Sequence, residues 1–222
     1  MKRIIIINVL FAVFLANTNA QHSADTRGQV IVLETSLGNI ELLLYDDTPK
    51  HRDNMIKLIK EGYYDGQMFH RVINNFMIQG GDPHSKGAEK GQRLGIGGPG
   101  YTIEAEIRDH HFHKKGALAA ARKGDAVNPE KRSSGSQFYI VQGQVLNEPQ
   151  LTALQSRGVH DPFTPEEIEA YTTLGGTPHL DDGYTVFGEV ISGLDVVDTI
   201  AAMPTDNNDR PTEDIVYSIR LK

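Results

Sequence analysis

Apolar positions along this chain come in short runs separated by glycine-rich polar stretches. Val, Ile and Leu dominate from Gln29 to Thr35 and again from Asn39 to Leu44, and Ser36-Leu37-Gly38 between them supplies a turn, which predicts a β-hairpin. Met55, Ile56, Leu58 and Ile59 then form an apolar stripe. Thr48 stands in the N-cap position ahead of Pro49, and Gly62 lies where a C-terminal cap belongs, so a helix is predicted between them. Further short apolar segments follow: Met68 to Ile73, Phe76 to Gln79, Ala117 to Ala121, Phe138 to Val141, Val186 to Val190 and Ile215 to Leu221. A second helix is predicted over Leu194 to Ala201, ended by Met203-Pro204-Thr205. About eight short strands and two helices predict a mainly β fold built as a closed barrel.

Leu146 to Gly176 departs from this pattern, being rich in Gln, Glu, Thr and Leu. Thr164 is placed to cap and Pro165 to open a helix, and the stretch is read as two short helices inserted between barrel strands.

At the N-terminus Lys2 and Arg3 precede an apolar stretch from Ile4 to Leu15, and Ala20 closes the polar Asn17-Thr18-Asn19. This is the pattern of a signal peptide, and the apolar run is shorter than the ~20 residues that span a bilayer. Residues 1–20 are therefore expected to be removed, leaving a polar tether over 21–28 and one domain over 29–222. No cysteine follows the apolar run to accept a lipid, so the expectation is a soluble exported protein without stable membrane association, periplasmic where the cell has an outer membrane.

The composition narrows the chemistry. With 39% hydrophobic and 23% charged residues in 222, the chain has the make-up of an ordinary globular protein. A net charge of -7 with no long basic run argues against a general nucleic-acid binder, whose affinity comes from clustered Lys and Arg. The absence of cysteine excludes disulfides, thiolate metal ligands and a cysteine nucleophile.

The most informative segment runs from Phe69 to Asp82 as Phe69-His70-Arg71-Val72-Ile73-Asn74-Asn75-Phe76-Met77-Ile78-Gln79-Gly80-Gly81-Asp82. Strand alternation puts Arg71 on one face with Phe69 and Ile73, and a guanidinium among apolar side chains needs a partner or lines a pocket. The segment is similar to the cyclophilin signature, in which Arg, then Phe-Met, then Gln precede Gly-Gly-Asp. Further matches are Gly116-Ala117-Leu118-Ala119-Ala120-Ala121-Arg122, Ser134-Gly135-Ser136-Gln137-Phe138-Tyr139-Ile140-Val141 and His179 to Val190. Their order is the family's, and the likeness extends from about Gln29 to Leu221.

The resemblance implies a cyclophilin-like closed eight-stranded antiparallel barrel capped by two helices, and a peptidyl-prolyl cis-trans isomerase acting on proline-containing polypeptides. It implies Arg71 as the catalytic residue, an apolar proline pocket from Phe76, Met77, Tyr139 and Leu180, and a peptide groove lined by Gln79, Ala121, Arg122, Gln137 and Tyr184. An arginine donating to the prolyl nitrogen favours the twisted amide, so the chemistry requires no nucleophile, proton relay, metal or cofactor. A monomer is expected. The chain departs from the familiar pattern at Tyr139, where phenylalanine is usual, at Tyr184 for a frequent histidine, at Arg122 for a frequent asparagine, and at His179 in place of tryptophan. Cyclosporin binding is accordingly not implied. The stretch 146–176 falls between Gly143 and His179, so it is expected to emerge beside the pocket wall and border the groove.

Three other readings fit less of the chain. A proline-peptide-binding module or chaperone with little turnover uses the same groove but does not need Arg71. His110, His111 and His113 suggest a metal, but their segment offers no convincing third ligand, and it is read as a solvated connection. Gly135-Ser136-Gln137 does not form the Gly-x-Ser-x-Gly elbow of a serine hydrolase.

Overall fold

The computed structural model describes residues 28–222, so the expected signal peptide, and the expected tether up to residue 27, lie outside the described residues. Gly28 is not tether: it opens β1 (Gly28–Thr35), which pairs with β2 (Gly38–Tyr45) from Gly28↔Tyr45 to Thr35↔Gly38. Period-two alternation turns Ile31, Leu33, Ile40, Leu42 and Leu44 into the main core.

Helix α1 (Pro49–Lys60) lays Met55, Leu58 and Ile59 on that core and stops before Gly62, whose φ of 66° is the left-handed conformation of a helix C-terminal cap. Its start differs from the expectation. The Thr48 side chain caps nothing, and its hydroxyl turns back to the Tyr45 carbonyl at 3.4 Å. The buried Glu106 takes over, accepting from the backbone N–H of Lys50 at 3.1 Å and of His51 at 3.0 Å, and contacting His51 Nδ1 at 2.7 Å. An ionised carboxylate meets the positive end of the helix dipole more strongly than a hydroxyl does.

The chain continues through β3 (Gln67–Met68), β4 (Arg71–Ile73), β5 (Met77–Gly80), β6 (Thr102–Ile103), β7 (Ala117–Arg122) and β8 (Ser133–Val141). Helices α2 (Glu148–Ser156) and α3 (Pro165–Thr173) come next, then β9 (Val186–Ser192), α4 (Leu194–Ala201) and β10 (Val216–Leu221). One antiparallel sheet has the order β3-β10-β1-β2-β9-β7-β8-β5-β4, with β6 added on β8. The fold is mainly β and cyclophilin-like, but a closed eight-stranded barrel is not what forms. Among the described residues the sheet has ten strands, and the expected strand Met68 to Ile73 is divided. Its first part pairs only with β10 and its second only with β5, Phe69 N–H reaching the Ile215 carbonyl at 3.2 Å and His70 N–H the Gln79 carbonyl at 3.1 Å. The curl of a strongly twisted sheet carries this segment from one end of the sheet to the other, so neither neighbour follows it throughout.

That crossing also corrects the face of Arg71. Phe69 and Val72 enter the main core, whereas Ile73 packs on a second cluster containing Met77, Ala117, Ala119, Tyr139 and Val186. Alternation does not survive the crossing, and Arg71 shares its side with Ile73 but not with Phe69. The main core lies on one side of the sheet, closed over by α1 and α4, the latter through Val196, Val197 and Ile200. The second cluster covers the opposite side of β5, β7 and β8.

Capping boxes open α2 and α3, one between Asn147 and Gln150 and the other between Thr164 and Glu167. Together the two helices bury Leu151, Ala170 and Tyr171 with Phe112 and Phe163 in a third, separate cluster.

Candidate active site

A cleft of about 160 Å³ opens on the second cluster, lined by Arg71, Phe76, Met77, Gln79, Ala121, Arg122, Tyr139, Leu180 and Tyr184. Cross-strand register explains the convergence: Arg71 pairs with Gln79, Gln79 with Tyr139, and Tyr139 with Ala119, so alternate residues of four neighbouring strands face the same way. Gln137 lies just behind this wall. Its Oε1 accepts from Gln79 Nε2 at 3.1 Å, and its Nε2 donates to the Gly97 carbonyl at 2.8 Å, which fixes the Gln79 amide at the rim.

Phe76 sits in the turn between β4 and β5, where its carbonyl accepts from both Gln142 N–H and Gly143 N–H at 3.0 Å. Its ring stacks on His179, with centroids 5.7 Å apart. Burial holds the His179 imidazole below its usual pKa, so the wall it forms with Phe76 is uncharged near neutral pH. Leu180 ends a short 3-10 turn over Pro178–Leu180 and packs against the same cluster.

Arg71 and Arg122 are held very differently. Arg71 has a side chain 43% exposed and, among the described residues, a single ionic contact, Nε to Asp209 at 3.5 Å, with most of its guanidinium donors unpaired there and facing the cleft. Arg122 is only 6% exposed. It donates to the Gly183 carbonyl at 2.6 Å and to Asp125 at 2.6 Å, and lies 4.6 Å over the Tyr184 ring. Its charge is thus spent on holding Tyr184 and the 183–184 turn, and it shapes the cleft through them.

The floor contains what the sequence did not reveal. Tyr139 is buried, and its hydroxyl meets His113 Nε2 at 2.9 Å. His113 Nδ1 lies 2.7 Å from Asp181 Oδ1, which also accepts from the His113 backbone N–H at 2.8 Å. Asp181 Oδ2 accepts from His160 at 3.1 Å and from the Tyr171 hydroxyl. With Nδ1–H given to the carboxylate, a neutral imidazole keeps Nε2 as the acceptor for the tyrosine proton. Residues of the 146–176 stretch are thereby wired to the floor of the cleft. The one sequence signal was the Tyr139 hydroxyl, a polar atom at an apolar position that must find a partner; nothing identified that partner as His113, 26 residues earlier.

This wiring predicts the outcome of Tyr139→Phe. The cleft keeps its ring, but His113 loses its acceptor contact in a buried place, so the folded state should lose about 1–2 kcal/mol in urea unfolding, near the usual cost of an orphaned buried polar group. Turnover should change less than threefold, since the hydroxyl points away from the cleft. A loss of turnover at unchanged stability would show that the hydroxyl contacts the substrate instead.

A second cleft of about 320 Å³ lies beyond the Phe76–His179 wall, between the wall and α2, bordered by Asn75, Leu146, Leu154, Arg157 and Pro178 among others. The stretch 146–176 therefore adds surface beside the first cleft.

Comparison with known proteins places this arrangement. The sequence model of the family described as cyclophilin type peptidyl-prolyl cis-trans isomerase/CLD matches residues 30–220. A protein of Staphylococcus epidermidis named as a peptidyl-prolyl cis-trans isomerase is 38% identical over 190 residues, covering 84% of this chain and 87% of that one. One of Staphylococcus aureus with the same name is 36% identical over 207 residues, covering 91% and 96%. A Streptococcus pyogenes protein named as a bifunctional phosphatase/peptidyl-prolyl cis-trans isomerase is 38% identical over 205 residues, and the chain spans 37% of its length. Among solved structures, a cyclophilin type peptidyl-prolyl cis-trans isomerase of Cryptosporidium parvum superposes with a TM-score of 0.63 at 25% identity, covering 88% of this chain and 98% of that one. The same parasite protein solved in the presence of the dipeptide Ala-Pro gives 0.62 at 24%.

Proposed function

The chain belongs to the cyclophilin-type peptidyl-prolyl cis-trans isomerases, and from that premise we propose that it isomerises X-Pro bonds of exported polypeptides by non-covalent catalysis at the Arg71 cleft. The observation that carries the proposal is the convergence of a guanidinium, largely unpaired among the described residues, with an apolar floor of Phe76, Met77, Tyr139 and Leu180. The amide bond to proline resists rotation by ~18–20 kcal/mol because the nitrogen lone pair is delocalised into the carbonyl. At the twisted state that lone pair is localised on nitrogen and becomes an acceptor. Arg71 is the donor for it, and its hydrogen bond is strong only there, which makes it a transition-state contact.

The apolar floor takes the proline ring and excludes the water that competes for the same lone pair. Gln79, held by Gln137, and the edge of β7 at Ala121 and Arg122 take the peptide on either side. Tyr184, fixed by Arg122, closes the far wall. A rate gain of about 10³ to 10⁶ corresponds to only ~4–8 kcal/mol, within reach of one aimed donor and a dry pocket. The folding role outside the cytoplasm rests on Lys2, Arg3, the apolar run Ile4 to Leu15 and Ala20, and periplasmic residence on their removal in a cell with an outer membrane. Proline-containing polypeptides are the partners, and a single chain forms the whole cleft.

The direct test follows the cis-to-trans relaxation of a short Ala-Pro reporter peptide at low temperature. The expected result is acceleration in proportion to protein added, without metal or cofactor. Tight binding of the peptide with no acceleration would replace this reading by that of a holding protein.

A further inference from the structure

Among the described residues two sets of three side chains bring ligand atoms within 4.8 Å of one another: His160, Glu167 and Asp181, and Asp47, His110 and His111. The first is already satisfied. Asp181 serves His113, His160 and Tyr171, and Glu167 accepts from the Thr164 N–H and hydroxyl. Its carboxylates are occupied and enclosed.

The second set is different in kind. Asp47, in the link between β2 and α1, holds both imidazoles by their Nε2 atoms, His110 at 2.8 Å on Oδ2 and His111 at 2.9 Å on Oδ1. The two donors of this carboxylate are themselves metal-binding groups, and the three ligand atoms lie within 4.8 Å of one another. We propose that Asp47, His110 and His111 form a site for a borderline divalent cation of the Zn²⁺ or Cu²⁺ kind. The third ligand missing from the histidine segment is supplied from 63 residues away in the chain.

The site is built rather than incidental. His111 stacks on Tyr45 with centroids 4.1 Å apart and planes 18° from parallel, so its ring direction is set. Arg108 donates through Nε and Nη2 to the Asp47 carbonyl at 3.2 and 3.0 Å, fixing the backbone that carries the carboxylate. A neutral imidazole in this place has only to move its proton to Nδ1 for Nε2 to become a ligand. Metal–ligand bonds of about 2.0–2.2 Å in tetrahedral array set ligand atoms roughly 3.4 Å apart, so the contacts must open by only about half an ångström. His110 is 66% exposed and Asp47 43%, which admits the ion from solvent and leaves room for water as a fourth ligand. Two imidazoles and one carboxylate without a second carboxylate favour this class of ion over Mg²⁺ or Ca²⁺.

The site lies apart from Arg71, and its test does not depend on isomerase activity. Tag-free protein is titrated with Zn²⁺ by calorimetry at pH 7.5, and with Cu²⁺ by electron paramagnetic resonance. One ion per chain is expected, with nitrogen coupling from two imidazoles to Cu²⁺. His110→Ala should reduce that coupling to one nitrogen, and Asp47→Ala should weaken Zn²⁺ at least tenfold. His160→Ala should leave both unchanged. Melting in EDTA checks that each variant folds, and a Zn²⁺-induced rise in melting temperature should vanish in His110→Ala, whose exposed side chain the fold does not need. No binding by wild type, or binding that Asp47→Ala and His110→Ala leave intact, overturns the proposal.

Discussion

Arg71→Ala should lower kcat/KM on an Ala-Pro reporter peptide by about 10² to 10³, with the fold unchanged. The magnitude is that of removing one preorganised donor from a developing charge, ~2.7–4 kcal/mol at 1.36 kcal/mol per tenfold. The fold should tolerate the change because Arg71 contributes little to it. Its ionic partner among the described residues, Asp209, is 3.5 Å away, both side chains are over 40% exposed, and such pairs are worth about 0–1 kcal/mol. The main core is filled from the other side of the strand by Val72.

How the loss divides tells what Arg71 does. A donor engaged only at the twisted amide lowers kcat and leaves KM nearly alone, whereas a residue that merely holds the peptide raises KM at constant kcat. Arg71→Lys sharpens the distinction. A lysine keeps the charge but replaces the planar fork by a compact ammonium, so it should recover little of the rate if aim matters and most of it if charge suffices. A correctly folded Arg71→Ala protein with wild-type turnover would remove Arg71 from the mechanism.

The two arginines also show where sequence reading reaches and where it stops. The spacing of Arg, Phe-Met and Gln was visible because those residues sit within one hairpin, where local pairing decides which side chains meet. That Arg71 is nearly free while Arg122 is spent on Gly183, Asp125 and Tyr184 depends on a contact spanning 61 residues, which no local pattern encodes. The same holds at Thr48. Its place before Pro49 is a sound local cap signal, overruled by Glu106, which reaches the helix start from 56 residues beyond Lys50. Strand alternation likewise misplaced Phe69 relative to Arg71, because the segment changes neighbours halfway along, a property of the sheet's curl rather than of six residues.

The His113–Asp181 network is the extreme case, joining three regions that look unrelated in sequence, and it gives the largest stability effect. Asp181→Ala should destabilise the protein by about 3–5 kcal/mol in urea unfolding, since it strips the carboxylate from a buried group and leaves one donor unpaired on each of His113, His160 and Tyr171. The ionised carboxylate is strongly favoured in place. Burial works against it, but hydrogen bonds from His113, His160 and the Tyr171 hydroxyl outweigh that and hold its pKa at about 2, against 3.8 unperturbed. That difference alone is worth roughly 2 kcal/mol near neutral pH.

The pH dependence follows with opposite signs for the two partners. Asp181 has a depressed pKa, so its contribution is complete above about 4 and is lost as pH falls toward about 2. Burial would lower His160, but its hydrogen bonds to Asp181 and the Asp161 carbonyl, with the charges of Asp181 and Glu167, raise it to about 9. Its contribution is complete below about 6.5 and is lost as pH rises through about 9. Wild type should therefore lose stability at both ends, and Asp181→Ala should flatten the curve at both. His160→Ala should flatten the alkaline side fully and the acid side only in part, because His113 and Tyr171 still hold the Asp181 carboxylate, and its cost should shrink when Asp181 is already absent, because the two share one bond. In hydrogen exchange, the Asp181→Ala change should loosen α3 first, since Tyr171 hangs on that carboxylate, while the strands beneath Arg71 stay protected. A cost below about 1 kcal/mol would mean that the desolvation of Asp181 cancels its hydrogen bonds. The 146–176 stretch would then be held by the packing of Phe112, Leu151 and Phe163 and by backbone bonds such as Lys115 N–H to the Gly175 carbonyl at 2.8 Å.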